Sequence, residues 1–236
     1  RNRYRCENLY RLICINSISS ACFAIPNIGL VNEMKKICHK MNINVHEIIN
    51  AASTKPFGFS KFLPGPGLGG HCIPIDPFYL SWKAKKYNID TKFINLAGKI
   101  NRSMPAWVIK EISDFYKKKR KTLVKKKILI LGVAYKKNIN DTRESPAFEI
   151  IKILKQKYKA AVEYHDPFVP VVKNLRNYDI SMQSIKISPN KIKEFDIVIL
   201  VTDHDNLDYN SLKKHSKLLV DTRGFFKKNY PNIISL

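Results

Sequence analysis

The sequence predicts an α/β protein in which an all-helical domain is followed by a doubly wound parallel-sheet domain. Two observations carry this expectation. Before residue 118 the apolar residues recur at helical spacing, and beyond residue 126 strand-like apolar runs alternate with amphipathic helical runs. A third observation marks the joint: KKKRKTLVKKK, residues 117–127, is a basic run that reads as a solvated connection rather than a binding patch. The expected domains are therefore 1–118 and 126–236, with 119–125 as the linker.

Taken in order, residues 1–26 are the least regular. ENLYR can start a helix, but LICINSISSACFAIP has no clean period. From Asn27 onward, Ile28, Val31, Met34, Ile37, Cys38 and Met41 fall at helical spacing. NVHEIINAAST reads as a second, short helix, residues 55–70 as a Gly/Pro-rich loop, and FYLSWKAKKY as a helix opened by Asp76 and Pro77. Phe93, Leu96, Ala97, Ile100, Met104, Trp107, Ile112 and Phe115 define one face of a long helix. Pro105 is expected to break or kink it, with Ser103 capping a new start. In the second half, KILILGVA, AAVEYHD, DIVILVTDH and KLLVDTRG read as strands. SPAFEIIKILKQKY reads as a helix capped by Ser145, and further helices are expected at 189–195 and 207–215. Ligands of such sheets bind beyond the carboxyl ends of the strands, where AYKKNINDTRES, HDPFV, TDHDN and DTRG fall.

Composition narrows the function. With 44% hydrophobic and 11% aromatic residues in 236, a packed core is expected rather than disorder. The net charge of +23 is extreme, but the lysines are scattered among Asn and Ile. No face joins basic residues to aromatics as nucleic-acid surfaces do, so nucleic acid is not the expected partner. A small polyanion such as a nucleotide diphosphate suits the same charge. The cysteines, at 6, 14, 22, 38 and 72, are odd in number and form no C-x-x-C. Neither a disulfide framework nor a metal site is expected, and the expected compartment is the reducing cytoplasm. Asn16, Pro26 and Asn27 interrupt the apolar stretch 12–30, so no signal peptide or membrane span is expected. The chain opens on Arg1, and the expectation is a piece of a longer protein.

The segment 62–80, FLPGPGLGGHCIPIDPFYL, holds the chemistry-bearing residues. Gly65, Gly67 and Gly70 satisfy G-x-G-x-x-G, but Pro64, Pro66 and Pro74 deny the strand–turn–helix context of a dinucleotide turn. The loop reads as one that holds phosphate or substrate. Spacing alone leaves Cys72 open between a small buried thiol and a nucleophile, with Asp76 four residues on to handle water or orient a base. Lys136, Lys137 and Arg143 follow the first strand. They can hold a diphosphate, or Arg143 can pair with Asp141 in an exposed loop. His165, His204 and His215 have no metal-like partners and read as structural or exposed.

TKPFGFSKFLPGPGLGGHCIPIDPFYLSWKA, INRSMP and LGVAYKKNINDTRESPA together resemble the UDP-glucose/GDP-mannose dehydrogenase family, over a span from about Glu7 to the C-terminus. HCIPIDP with FGF before it is similar to the branch that acts on UDP-N-acetylhexosamines, of UDP-N-acetylglucosamine 6-dehydrogenase type. The resemblance implies oxidation of C6 of a nucleotide-sugar to a uronate by two NAD, through a cysteine thiohemiacetal and thioester. It implies polysaccharide biosynthesis as the setting. On that pattern Cys72 matches the nucleophile, Asp76 the water-handling aspartate and Asn8 the oxyanion-stabilising asparagine. Phe62, Leu63 and Gly67 fall in the substrate loop, Lys136 and Arg223 match substrate-binding residues, and Arg143 matches a residue near the cofactor. The family architecture implies an N-terminal NAD-binding domain, a central helical dimerisation domain that makes a homodimer, and a C-terminal UDP-sugar domain.

The sequence departs from the pattern in three places. No NAD-binding domain precedes Asn8 in the sequence given, and Tyr4 stands where the family has a catalytic lysine. Residues 12–26 separate ENLYR from NIGLVNEMKK, which the family holds nearly contiguous, so this tract reads as an insertion. The chain alone is expected not to turn over. The alternative expectation is a UDP-sugar-binding module without catalysis.

Overall fold

The computed structural model describes residues 2–173, 175, 177–227 and 230–236, with side chains described from Ile18 onward. A helical unit comprises Arg1–Leu63 and Gly70–Arg102, and a second unit comprises Pro64–Gly69 and Ser103–Leu236.

In the first unit, helix α1 runs unbroken over Asn2–Lys40, so the irregular tract 12–26 is helical rather than a gap between two helices. Its second half has a reason to be. Ala21 and Ile25 are buried, and burial overrides a weak local period. Pro26 costs the helix one backbone bond. Polar side chains serve the carbonyls just before it: Asn27 donates to the carbonyl of Phe23 at 2.7 Å and Asn101 to that of Ile25 at 3.0 Å. Helix α2 (Val45–Ala52), capped by the Asn44 side chain on the His46 amide, presses Val45 and Ile49 against Val31 and Cys38 of α1. Helix α3 spans Asp76–Lys85 and α4 Lys92–Lys118. Gly29 of α1 lets α4 approach closely, because a Cβ there would lie 3.3 Å from Ala97. The buried amide of Asn32 donates to Asn101 at 2.8 Å across the same contact.

Pro105 does not break α4. Met104 and Val108 on either side of it are fully buried, and their packing holds the helix through the missing bond. The compact units divide inside this helix, between Arg102 and Ser103. The run 119–125, read from sequence as a linker, is an ordered turn that closes α4. Lys121 donates to the carbonyl of Tyr116 at 2.9 Å, Arg120 takes a left-handed conformation, and Leu123 is buried in the sheet domain's core.

The second unit is a five-stranded parallel sheet in the order β2-β1-β5-β6-β7, from β1 (Lys127–Leu131), β2 (Ala161–His165), β5 (Ile197–Leu200), β6 (Leu219–Asp221) and β7 (Ile233–Ser235). A small hairpin, β3 (Val171–Val172) and β4 (Met182–Gln183), lies outside it. Ile128 and Ile130 face the second half of α4 and helix α5 (Pro146–Tyr158). Leu129 and Leu131 face helix α6 (Pro189–Glu194) and helix α7 (Tyr209–His215). Both faces are covered, which is why the central strands read as unbroken apolar runs, each buried Ile or Leu contributing about 2 kcal/mol of transfer free energy. The register levels the strand ends: Leu131 pairs with His165 and with Leu200, and Leu200 pairs with Asp221. The residues just beyond therefore share one edge of the sheet.

Candidate functional site

At that edge the chain turns sharply. Gly132 follows β1 at φ 78, and a Cβ there would lie 2.5 Å from Thr202. The hydroxyls of Thr202 and Thr222 donate to the carbonyls of Ala134 and Leu200, both at 2.6 Å. Asp166, just past β2, is the hub. Its Oδ2 accepts from the amides of Val133 (2.7 Å) and Ala134 (2.9 Å) and from Nε2 of His204 (3.1 Å), and its Oδ1 accepts from the amides of Phe168 and Val169. Burial pushes this carboxyl up, but the hydrogen bonds from His204, Ala134 and Val133 outweigh it and hold the group below the ordinary carboxylate range. His204, read from sequence as structural or exposed, is fully buried. HDP and TDHDN at strand ends were the available signal for this pair, and nothing in their spacing shows that the two residues meet.

The basic residues at this edge differ in how they are engaged. Arg143 is paired with Asp141, Nε and Nη2 both reaching the carboxylate, the bland alternative that the sequence allowed. Lys137 pairs with Asp205 at 2.9 Å. Lys136 is exposed and makes no ion pair among the described residues. Arg223 follows β6 in a turn whose amides, with those of Gly224 and Phe226, bond to Asp221. Its Nε donates to Asp203 at 3.1 Å, which orients the guanidinium.

Residues 64–69 complete this edge. A Cβ on Gly65 would sit 2.8 Å from Nη1 of Arg223, one on Gly67 2.8 Å from Pro146, and one on Gly69 2.4 Å from Cβ of Tyr135. Gly65, Gly67 and Gly69, two residues apart, thus make the close approaches, while Gly70 beside them takes a φ of 94 that favours glycine. The loop passes from Arg223 beyond β6 to Tyr135 beyond β1, with Gly67 against Pro105 of α4 and Pro146 of α5. Two strand spacings are about 10 Å and four extended residues reach about 13 Å, so an extended segment fits the crossing.

In the helical unit, Cys72 is exposed, and its carbonyl accepts from the amides of Ile75 (3.2 Å) and Asp76 (2.8 Å). This turn fixes the thiol's backbone one turn ahead of α3, which opens on Asp76 with Pro77 in its first turn. Cys22 of α1 lies near enough to Asp76 to feel its charge. Burial first, and Asp76 second, push that thiol up. Phe62 packs on Phe23, ring centroids 5.8 Å apart, and against the α1–α2 core, whereas Leu63 is exposed. Asn8 lies outside the residues whose side chains are described. Among the described residues no group of His, Cys, Asp and Glu could hold a metal ion, and no helix is long and apolar enough to cross a membrane.

Two family models match this chain: the UDP-glucose/GDP-mannose dehydrogenase family central domain over residues 15–103, and the UDP binding domain of the same family over residues 129–228. UDP-N-acetyl-D-mannosamine dehydrogenase of Methanococcus maripaludis (strain C7) is 35% identical over 211 residues, 86% of this chain and 45% of that protein. NDP-N-acetyl-D-galactosaminuronic acid dehydrogenase of Ralstonia solanacearum is 30% identical over 209 residues, again 86% of this chain and 46% of that one. Among solved structures, UDP-D-ManNAc dehydrogenase of Pyrococcus horikoshii superposes with a TM-score of 0.78 at 29% identity, covering 92% of this chain and 49% of its own. The chain therefore spans about half the length of the relatives it matches.

Proposed function

This chain belongs to the UDP-glucose/GDP-mannose dehydrogenase family, and from that premise we propose that it supplies the nucleotide-sugar site and the cysteine nucleophile of a UDP-N-acetylhexosamine 6-dehydrogenase. The names of its relatives favour UDP-N-acetyl-D-mannosamine as the substrate. The observation that carries the reading is the edge of the sheet domain, where the glycine loop packs beside Arg223, Asp203 orients that guanidinium, and Lys136 stands without an ion pair among the described residues. Charged donors of this kind bind phosphate oxygens.

In this reading Arg223 and Lys136 bind the diphosphate, and Phe62, Leu63 and Gly67 belong to the loop that holds the sugar nucleotide. The sulfur of Cys72 adds to an aldehyde carbon at C6 of the sugar. The S–C bond forms as the carbonyl π bond opens, and the thiol proton passes to the oxygen through solvent. Asn8 steadies the oxyanion. Loss of a hydride from C6 of this adduct to NAD would leave a thioester, and Asp76 directs the water whose attack on it frees the carboxylate and returns the Cys72 thiol. The family is NAD-dependent, but the described residues do not fit a dinucleotide. Gly65, Gly67 and Gly69 are occupied in packing, and Arg143, the cofactor candidate, is engaged by Asp141. None of these residues is accordingly assigned to holding the hydride acceptor. Phe23, Leu30 and Ile37, exposed along α1, support the expected homodimer through that helix. Tyr4 at the lysine position favours a second reading, a UDP-sugar-binding module without turnover.

Titration calorimetry tests the first reading. UDP and UDP-N-acetyl-D-mannosamine bind the 236-residue chain, and Arg223→Ala weakens both by about tenfold or more, the loss of a charge-assisted contact. Absence of binding to any uridine nucleotide sinks it. NADH formation on addition of NAD, abolished in Cys72→Ser, separates the enzyme from the module.

A further inference from the structure

We infer that His204 is a positioning residue that latches the Lys136 loop onto the sheet edge through a single-proton ring. The inference rests on the reading of the sheet domain as the nucleotide site, and its structural part stands without it. Nδ1 of His204 accepts the Asn138 amide proton at 2.9 Å. That nitrogen therefore carries no proton, and the ring's one proton sits on Nε2, where Asp166 Oδ2 receives it at 3.1 Å. The same Asp166 oxygen holds the amides of Val133 and Ala134. One carboxylate and one imidazole thus grip the loop on both sides of Lys136, at 133–134 and at 138.

The surroundings fix the ring rather than merely enclose it. Phe168 lies 5.0 Å from it, centroid to centroid, and the Tyr209 hydroxyl donates to the His204 carbonyl at 2.7 Å. Asp205, the next residue, binds the Lys137 ammonium and the Asn138 side-chain amide, while its own amide donates to Asn138 Oδ1 at 3.0 Å. The charged groups that face the ring are Asp166 from beyond β2, Asp205 on its own segment and, through Asp205, Lys137. Asn138 sits at φ 61, a left-handed turn that asparagine tolerates. Lys137 and Asn138 are both clamped, and Lys136 between the two anchors is left to meet a ligand. A phosphate-binding lysine on a mobile stem gains from a fixed backbone, because less freedom is lost on binding.

Two isosteres separate the two bonds. His204→Gln places a donor near Nε2 and keeps Asp166 served, but takes away the acceptor for Asn138. His204→Asn keeps an acceptor near Nδ1 and gives up the bond to Asp166. In the full chain, His204→Gln weakens UDP binding by about tenfold, the worth of one part-buried hydrogen bond, and His204→Asn recovers most of that loss. Equal loss in both variants, or none in either, overturns the latch. Amide exchange read by NMR requires no nucleotide and no variant. The Asn138 amide is protected in the unmodified chain, and the His204 ring shows its proton on Nε2 alone. A proton on Nδ1, or an Asn138 amide exchanging as fast as a free loop, overturns the inference even if either variant fails to fold. Failure of the unmodified chain to bind UDP, with the Asn138 amide protected, instead removes the nucleotide reading and leaves the latch.

Discussion

Replacing Gly69 by alanine puts a methyl carbon 2.4 Å from Cβ of Tyr135, 3.1 Å from the carbonyl oxygen of Glu144 and 3.3 Å from Cα of Ser145. Carbon atoms in contact prefer about 3.5–4.0 Å, so the first approach is more than 1 Å too close. None of these neighbours can retreat at low cost. The Tyr135 amide is bonded to the Asp141 carbonyl at 2.9 Å, the Ser145 amide to that of Thr142 at 3.1 Å, and the Ser145 side chain caps α5. Gly69 is not among the glycines with positive φ, so its backbone suits alanine, and without the clash the exchange would stabilise by roughly 0.4–1 kcal/mol through the unfolded chain. Overpacking of this kind costs about 1–3 kcal/mol. The net expectation is a loss of about 1–2 kcal/mol in urea unfolding. Tyr135→Gly in the same chain should relieve the nearest overlap, giving a favourable coupling in the double-mutant cycle. Wild-type stability for Gly69→Ala, or strict additivity with Tyr135→Gly, refutes the packing argument.

Four further outcomes are expected. Asp166 is held below the ordinary carboxylate range in the folded state, so its contribution is present above the unfolded value near 4 and is lost as pH falls through the lower folded value; Asp166→Asn should flatten that acid limb of the stability curve and cost about 2–3 kcal/mol at neutral pH. Tyr116, Tyr164 and Tyr178 are each pushed to about 12 by burial, with Asp196, Asp166 and Glu149 adding to it respectively, so ultraviolet titration should show a late tyrosinate class, and stability should fall as pH rises from about 10 toward 12. Iodoacetamide should label exposed Cys72 before buried Cys38, as read by peptide mass spectrometry; the reverse order contradicts the loop's placement. Tyr209→Phe removes the hydroxyl bonded to the His204 carbonyl and should cost about 1 kcal/mol in thermal unfolding while leaving the ring stacked on Phe225 at 3.7 Å.

The sheet was legible where local pattern and burial agree. Ile128–Leu131 and Ile197–Leu200 are buried on both faces, and Ser145-Pro146 opens α5 with its own cap. Strand β7 was not legible, because Ile233–Ser235 is three residues long and half exposed, and it gains its place only by pairing with β6. The course of α1 through residues 18–26 and of α4 through Pro105 depends on tertiary burial of Ile25, Met104 and Val108, which no local period reports. Within the site, residue types pointed to Lys136, Arg223 and the glycine loop, whereas the Asp166–His204 contact joins two strand ends and is invisible before the register is known. The glycines illustrate the same limit. Their sequence sets four glycines within residues 65–70, and only the neighbours of Gly65, Gly67 and Gly69 show that these three make the close approaches.

The passage of residues 64–69 into the sheet domain also bears on the order in which the chain is made. A ribosome delivers Gly65 and Gly69 long before Tyr135, Pro146 and Arg223, the groups they rest against. During synthesis the loop has no seat, and its closure waits on partners of large sequence separation, which slows folding. Because the sheet domain borrows a piece from within the helical unit, no single cut yields the sheet unit whole: a division after Arg102 leaves residues 64–69 with the helical fragment. A truncation that ends before Arg223 leaves Gly65 facing an empty place, and a gene split within α4 strands the loop on the wrong fragment.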